Sequence, residues 1–215
     1  MSDLAAGPPS DCPRCPRLVA LRAAERGRHP DWFNAPVPSF GGAEARLLIV
    51  GLAPGLNGAN RTGRPFTGDY AGVLLYETLA KFGLAQGEYA ARADDGLVLV
   101  GARITNAVRC VPPENKPLPA EIAACRPFLA AELGAAKGLR AVLALGRIAH
   151  EQILAALGLK RQRFAFAHGA RHYLPSGVML ADSYHCSRYN TNTRRLTREM
   201  FEAVIEGLLE AVSGG

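Results

Sequence analysis

Between Gly51 and Asp69 the chain carries glycines at 51, 55, 58, 63 and 68, together with Arg61, Thr62, Arg64, Thr67 and the carboxylate of Asp69. Glycine permits backbone conformations that a side chain forbids, so such a loop can approach a ligand closely. The apolar run 47–50 just before it places the loop at the carboxyl end of a strand, where α/β folds gather their chemistry. Two phosphate-cradling patterns are excluded on detail. A P-loop needs Lys and then Ser or Thr after its last glycine, whereas Gly63 is followed by Arg64 and Pro65, and no G-x-G-x-x-G occurs here.

A second candidate lies at residues 185–193, His185-Cys-Ser-Arg-Tyr-Asn-Thr-Asn-Thr193, after the apolar run 178–181. A histidine at a strand end is ordinarily a satisfied structural residue. The third candidate is the cysteine set: Cys12 and Cys15 in a C-x2-C pair, Cys110 and Cys125 with fourteen residues between them, and Cys186 left over. The first nine residues do not read as a signal peptide and the chain is long enough to build its own core, so a metal centre explains four cysteines better than a disulfide framework. C-x2-C taken alone fits zinc more often than an iron–sulfur cluster.

The loop at 51–69 resembles the first motif of the uracil-DNA glycosylase superfamily, and Gly58-Ala-Asn-Arg-Thr-Gly-Arg-Pro-Phe-Thr-Gly-Asp69 is especially similar to family 5, the iron–sulfur type b enzymes. The segment at 185–190 is similar to the second motif, His-Pro-Ser-x-x-Asn. The cysteine spacing resembles the [4Fe-4S] site of families 4 and 5, with Cys12, Cys15, Cys110 and Cys125 as ligands. The resemblance runs from Cys12 to Thr193, carried between the motifs by short strings at 104–110 and 112–117.

That resemblance implies a DNA repair enzyme that flips out uracil, and other deaminated bases such as hypoxanthine or xanthine, and hydrolyses the N-glycosidic bond to leave an abasic site. It implies Phe66 as a stacking platform, Asn106 at the Watson–Crick edge, and Gly51, Leu52 and Ala53 against the base. Without the motif, Phe66 reads equally as a core aromatic and Asn106 as a turn residue at a strand end. His185 is implied as a donor to the departing base. Asp69 is the candidate to orient water or stabilise the cationic sugar, with Asn115 assisting. Asp69 also reads as the N-cap of the helix that starts near Ala71. Arg61, Arg64, Ser187, Arg188 and Asn190 are the implied DNA contacts.

Two departures qualify the match. Cys186 stands where proline is common, which points to a looser loop or an oxidisable thiol beside the DNA, and Asn57 stands where family 5 often has histidine. Ala53 cannot activate water; family 4 usually has an acidic residue there, so the chain leans toward family 5.

The elements that must position these residues follow from periodicity. Strands are expected at 46–51, 97–105, 140–146 and 177–183, and helices at 71–82, 118–137, 147–157 and 193–212. The alternation predicts one α/β domain over residues 1–215, a three-layer α/β/α sandwich around a four-stranded parallel sheet, with an N-terminal arm of about forty residues helping to form the metal site. The stretches 7–16, 34–42 and 111–119 read as loops around it. With 25 Lys plus Arg against 19 Asp plus Glu, the net charge is +6, and the arginines crowd both motifs. That balance fits nucleic acid as a partner, although Arg194 to Arg198 also reads as a solvated helix face. No apolar stretch is long enough to span a bilayer, and a monomer in the cytoplasm is expected.

Overall fold

The computed structural model describes residues 7–213, so the first six residues of the expected domain and arm, and the last two, lie outside the described residues. In chain order the elements are α1 (Pro16–Arg28), β1 (Phe40–Gly41), β2 (Leu47–Gly51), α2 (Ala59–Thr62), α3 (Tyr70–Lys81), β3 (Ala85–Gln86), β4 (Val98–Leu99) and β5 (Ala102–Asn106). They continue as α4 (Pro119–Ala135), β6 (Ala141–Leu145), α5 (Arg147–Ala156), β7 (Arg171–Tyr173), β8 (Met179–Ser183), α6 (Arg188–Asn192) and α7 (Arg198–Ser213).

The main sheet has six strands in the order β1-β5-β2-β6-β8-β7. Its inner four strands are parallel, as the apolar runs predict, while β1 and β7 pair antiparallel at the two edges. The expected four-stranded parallel sheet is therefore the middle of a mixed six-stranded one. The edge strands are two and three residues long and only partly buried, too short to show an alternating pattern.

Alternation along the central strands feeds two cores. Leu47, Ile49, Leu143 and Leu145 pack with Leu75 and Leu79 of α3 and with Phe201, Ile205 and Leu208 of α7. Leu48, Val50, Val142 and Ala144 point the other way, onto Leu129 and Leu133 of α4 and Ile153 and Leu154 of α5. Both faces of the sheet are thus covered, which is why the inner strands read as continuous apolar runs. Each fully buried Leu, Ile or Phe contributes roughly 1.5–3 kcal/mol.

Two expected elements divide. The run 97–105 breaks into β4 and β5 because Gly101 adopts a positive φ of 63°. The helix expected from Thr193 begins at Arg198; the short α6 precedes it, capped by the Ser187 side chain. The helix α1, within a region with no predicted element, docks on α4 through Arg17, which bonds Glu121 at 2.7 and 2.8 Å.

Candidate functional site

Because the inner strands run parallel, β2, β5 and β8 release their following loops at one edge of the sheet. Gly51 and Asn106 are register partners at the ends of β2 and β5, and His185 follows β8 by two residues. The loops enclose a cavity of about 480 Å³ lined by Leu52, Ala53, Phe66, Asp69, Asn106, Asn115, His185, Ser187 and Arg188. These nine, all singled out in the sequence, therefore meet in one place.

The floor is held by small contacts. A Cβ on Gly51 would stand 2.6 Å from the Phe66 ring and would also meet the Asn106 carboxamide oxygen, so only glycine lets the two converge. Phe66 is 6% exposed with a positive φ of 53°, a conformation that costs about 1–3 kcal/mol unless its surroundings fix it. They do: Tyr76 donates to the Pro65 carbonyl at 2.6 Å, Tyr89 donates to the Phe66 carbonyl at 3.2 Å, and the Gly68 N–H donates back to Tyr89 at 3.3 Å. The Phe66 and His185 rings lie 5.8 Å apart between centroids, tilted by 31°.

Asn106 is buried, and among the described residues its Oδ1 has no hydrogen-bond partner. A buried acceptor on a cavity wall suits a donor on a ligand. Burial pushes the His185 ring down to about 4, so at neutral pH it is uncharged and keeps one N–H to donate. Asp69 combines both roles that the sequence left open. Its Oδ1 accepts from the Gly72 N–H at 3.2 Å as the N-cap of α3, while the carboxylate lines the cavity. Burial raises its pKa, and the Gly72 and Ala71 N–H groups offset part of that rise. Asn115 reaches the cavity from the loop after β5, in a left-handed conformation (φ 58°) that asparagine tolerates.

Other assignments change. Arg64 does not face DNA: it is 4% exposed and its guanidinium pairs with both oxygens of Asp95 at 2.7 Å. It stands over the rings of Phe40, Tyr76 and Tyr89, bracing the Phe66 loop from behind. The Asn190 amide is committed to the His185 carbonyl at 2.8 Å, and Ser187 caps α6. Cys186 is fully buried in the core and burial pushes its thiol up to about 12, which removes the expected oxidisable thiol beside the DNA. Arg61 and Arg188 are exposed. Sequence reasoning missed Tyr70, which lines the cavity mouth beneath the Arg188 guanidinium at 5.3 Å; its place directly after Asp69 was the available signal.

No disulfide joins any of the five cysteines. Among the described residues, no group of three or more His, Cys, Asp or Glu side chains is poised around a single ion. Cys12, Cys15, Cys110 and Cys125 nevertheless line one small cavity, together with Arg14, Arg22 and Arg109. Burial raises the pKa of Cys15, Cys110 and Cys125, that of Cys110 to about 12. The Arg109 backbone N–H donates to the Cys125 Sγ at 3.4 Å.

Comparison with known proteins fits this geometry. Residues 38–209 match the model of the uracil DNA glycosylase superfamily. The chain is 50% identical to a type-5 uracil-DNA glycosylase of Thermus thermophilus, over 93% of this chain and 92% of the relative. It is 41% identical to a type-5 uracil-DNA glycosylase of Pyrobaculum aerophilum, over 91% and 86%. Similarity to a type-4 uracil-DNA glycosylase of the same archaeon is 34% over 62% of this chain and 60% of the relative.

Proposed function

Because the chain belongs to the uracil-DNA glycosylase superfamily, we infer that it is a type-5 uracil-DNA glycosylase that excises uracil from DNA for repair. The observation that carries the mechanism is the convergence of Phe66, Asn106, His185 and Asp69 on one cavity at the carboxyl edge of the sheet.

Cleaving the N-glycosidic bond builds positive charge on the sugar and negative charge on the departing base. The target atom is shielded in a duplex, so the nucleotide must be flipped out and read in a pocket. Phe66 stacks on the extruded base. Asn106 offers its unmet Oδ1 to the imide N–H and its NH2 to a carbonyl, which is how a carboxamide reads a pyrimidine edge. Neutral His185 donates to the base oxygen where charge accumulates, and a neutral donor in a dry site stabilises that anion without itself having to lose a proton. Backbone N–H groups at Leu52 and Ala53 assist.

On the sugar side, Ala53 supplies no water-activating group, which leaves Asp69 as the cavity's carboxylate to stabilise the cationic sugar or hold the attacking water. Asn115 would position that water from the opposite loop. Arg61 and Arg188, both exposed, would meet phosphates, and Ser187 would contact the strand from the mouth.

The same reading gives Cys12, Cys15, Cys110 and Cys125 a [4Fe-4S] cluster. A single ion needs its thiolates within about 2.3 Å, while a cluster is held at its periphery by thiolates that stay farther apart. Buried donors that no described protein group satisfies, Arg22 Nε and Arg109 Nε, belong to residues lining this cavity and fit an anionic occupant. Bound there, the cluster would staple the α1 arm to α4 and to the loop after β5.

The activity range extends to other deaminated bases. Ala53, in place of the acidic residue usual in type 4, favours that broader range over a uracil-only enzyme. Oligonucleotides carrying uracil, hypoxanthine or xanthine, treated with the purified protein and then with alkali to cleave abasic sites, test both levels. Cleavage at uracil and at a purine analogue supports the reading; cleavage at uracil alone favours the uracil-only alternative, and none at any base refutes excision.

A further inference from the structure

Arg22 is 2% exposed, and among the described residues its guanidinium has no carboxylate partner. Its terminal nitrogens donate to backbone carbonyls, Ser10 at 3.3 Å and Cys12 at 2.8 Å, and its Nε–H donates to nothing. Arg109, 2% exposed, spends its terminal nitrogens on Ser39 and Glu132 and leaves its Nε–H equally unmet. Glu132 is shared with Arg103, so two guanidiniums draw on one carboxylate. Buried charge without a counter-charge is strongly unfavourable, and so is an unmet buried donor. Both residues line the cavity of the four cysteines.

We propose that Arg22 and Arg109 hold the cysteine centre electrostatically, Arg22 donating its Nε–H and Arg109 its backbone N–H to sulfur, together balancing the net negative charge of a thiolate-ligated cluster. The proposal rests on the cluster reading above. Its chemical consequence differs from mere stapling. Hydrogen bonds to cluster sulfurs stabilise the more reduced, more negative state, so these arginines raise the reduction potential and protect the centre from loss. They are positioning and tuning groups, remote from base excision.

The test uses the holoprotein prepared without oxygen. Iron and acid-labile sulfide are measured first: a protein holding neither, or holding zinc, overturns the cluster reading itself. With the cluster loaded, protein-film voltammetry on Arg22→Gln is expected to show the one-electron reduction equilibrium at least tenfold less favourable, a shift of about 59 mV to lower potential. Arg22→Lys, which keeps charge but not the directed Nε–H, should fall between. A potential for Arg22→Gln that coincides with the unaltered protein's would overturn the inference. Should Arg22→Gln fail to fold or load, the unaltered protein decides. With arginine labelled at Nε by nitrogen-15, the reduced cluster's pulsed electron paramagnetic resonance should show a nitrogen-15 hyperfine coupling, and its absence would overturn the inference.

Discussion

Gly51→Ala adds one methyl group against Phe66 and Asn106, two residues that line the cavity, and the structure sets the size of its effect. Gly51 lies in β2 with an ordinary strand conformation, so alanine meets no backbone penalty and everything depends on the new Cβ. That atom would stand 2.6 Å from Phe66, where 3.4 Å begins ordinary contact, so the ring must retreat by about 0.8 Å or the strand must yield. Phe66 is fixed by two tyrosine hydroxyls and the Arg64–Asp95 pair, and Asn106 is crowded by the same methyl. Misplacement of about 1 Å can cost 10²-fold in a positioned reaction, so single-turnover release of uracil should fall by roughly 10- to 100-fold. Overpacking should also cost about 1–3 kcal/mol, lowering Tm by roughly 2–12 °C. The rate is measured by quenched-flow base release at a temperature where circular dichroism shows the variant folded and iron content is unchanged. A rate within twofold of the unaltered protein would refute the claim that Phe66 and Asn106 are held to tolerances of this size.

Arg64→Gln should unfold the protein more easily, by about 3–5 kcal/mol in denaturant titration, because it strands a buried carboxylate; the salt dependence of DNA binding should not change. Arg64 holds the folded pKa of Asp95 below its unfolded value, so the pair's contribution is present above about pH 4 and lost as pH falls through the folded value, which acid titration of Arg64→Gln against the unaltered protein would reveal. Arg188→Ala should instead weaken DNA binding and flatten its log–log salt slope by about one, read by anisotropy. His185→Ala should lose about tenfold or more on uracil and less on 5-fluorouracil, whose anion needs less help, in paired single-turnover assays. Since His185 is neutral above about pH 4, no loss of rate between pH 6 and 8 should trace to its ring, and the His185→Ala profile should keep the shape of the unaltered one there.

What the sequence disclosed was whatever periodicity and glycine could carry. The apolar runs at β2, β6 and β8 are legible because burial on both faces forces continuous hydrophobicity. The two-residue β1 and three-residue β7 have no such signature, and α1 buries Arg22 and Glu25 beside Leu18, so its inner face reads as polar. At the site, Phe66, Asn106, Asp69 and His185 were named by the family motifs rather than by type alone, and the fold brings all four to one cavity. Arg64 was misread because a guanidinium beside glycines looks like a phosphate ligand; its partner Asp95 lies 31 positions away, and only the fold brings them together. Asn190 and Ser187 came from the family's second motif as DNA contacts, and the fold adds local bonds through which both order the His185 loop.

In the proposed mechanism the Asp69 carboxylate serves the reaction as well as capping α3, and Asp69→Asn separates the two. Asparagine is as good an N-cap as aspartate, so stability should hold while the negative charge is lost. The measurement is single-turnover uracil release from a duplex oligonucleotide, with Tm and iron content recorded on the same preparation. The expected result is a loss of about tenfold or more at unchanged Tm. Full activity in Asp69→Asn would contradict that catalytic role and leave Asp69 as a helix cap alone.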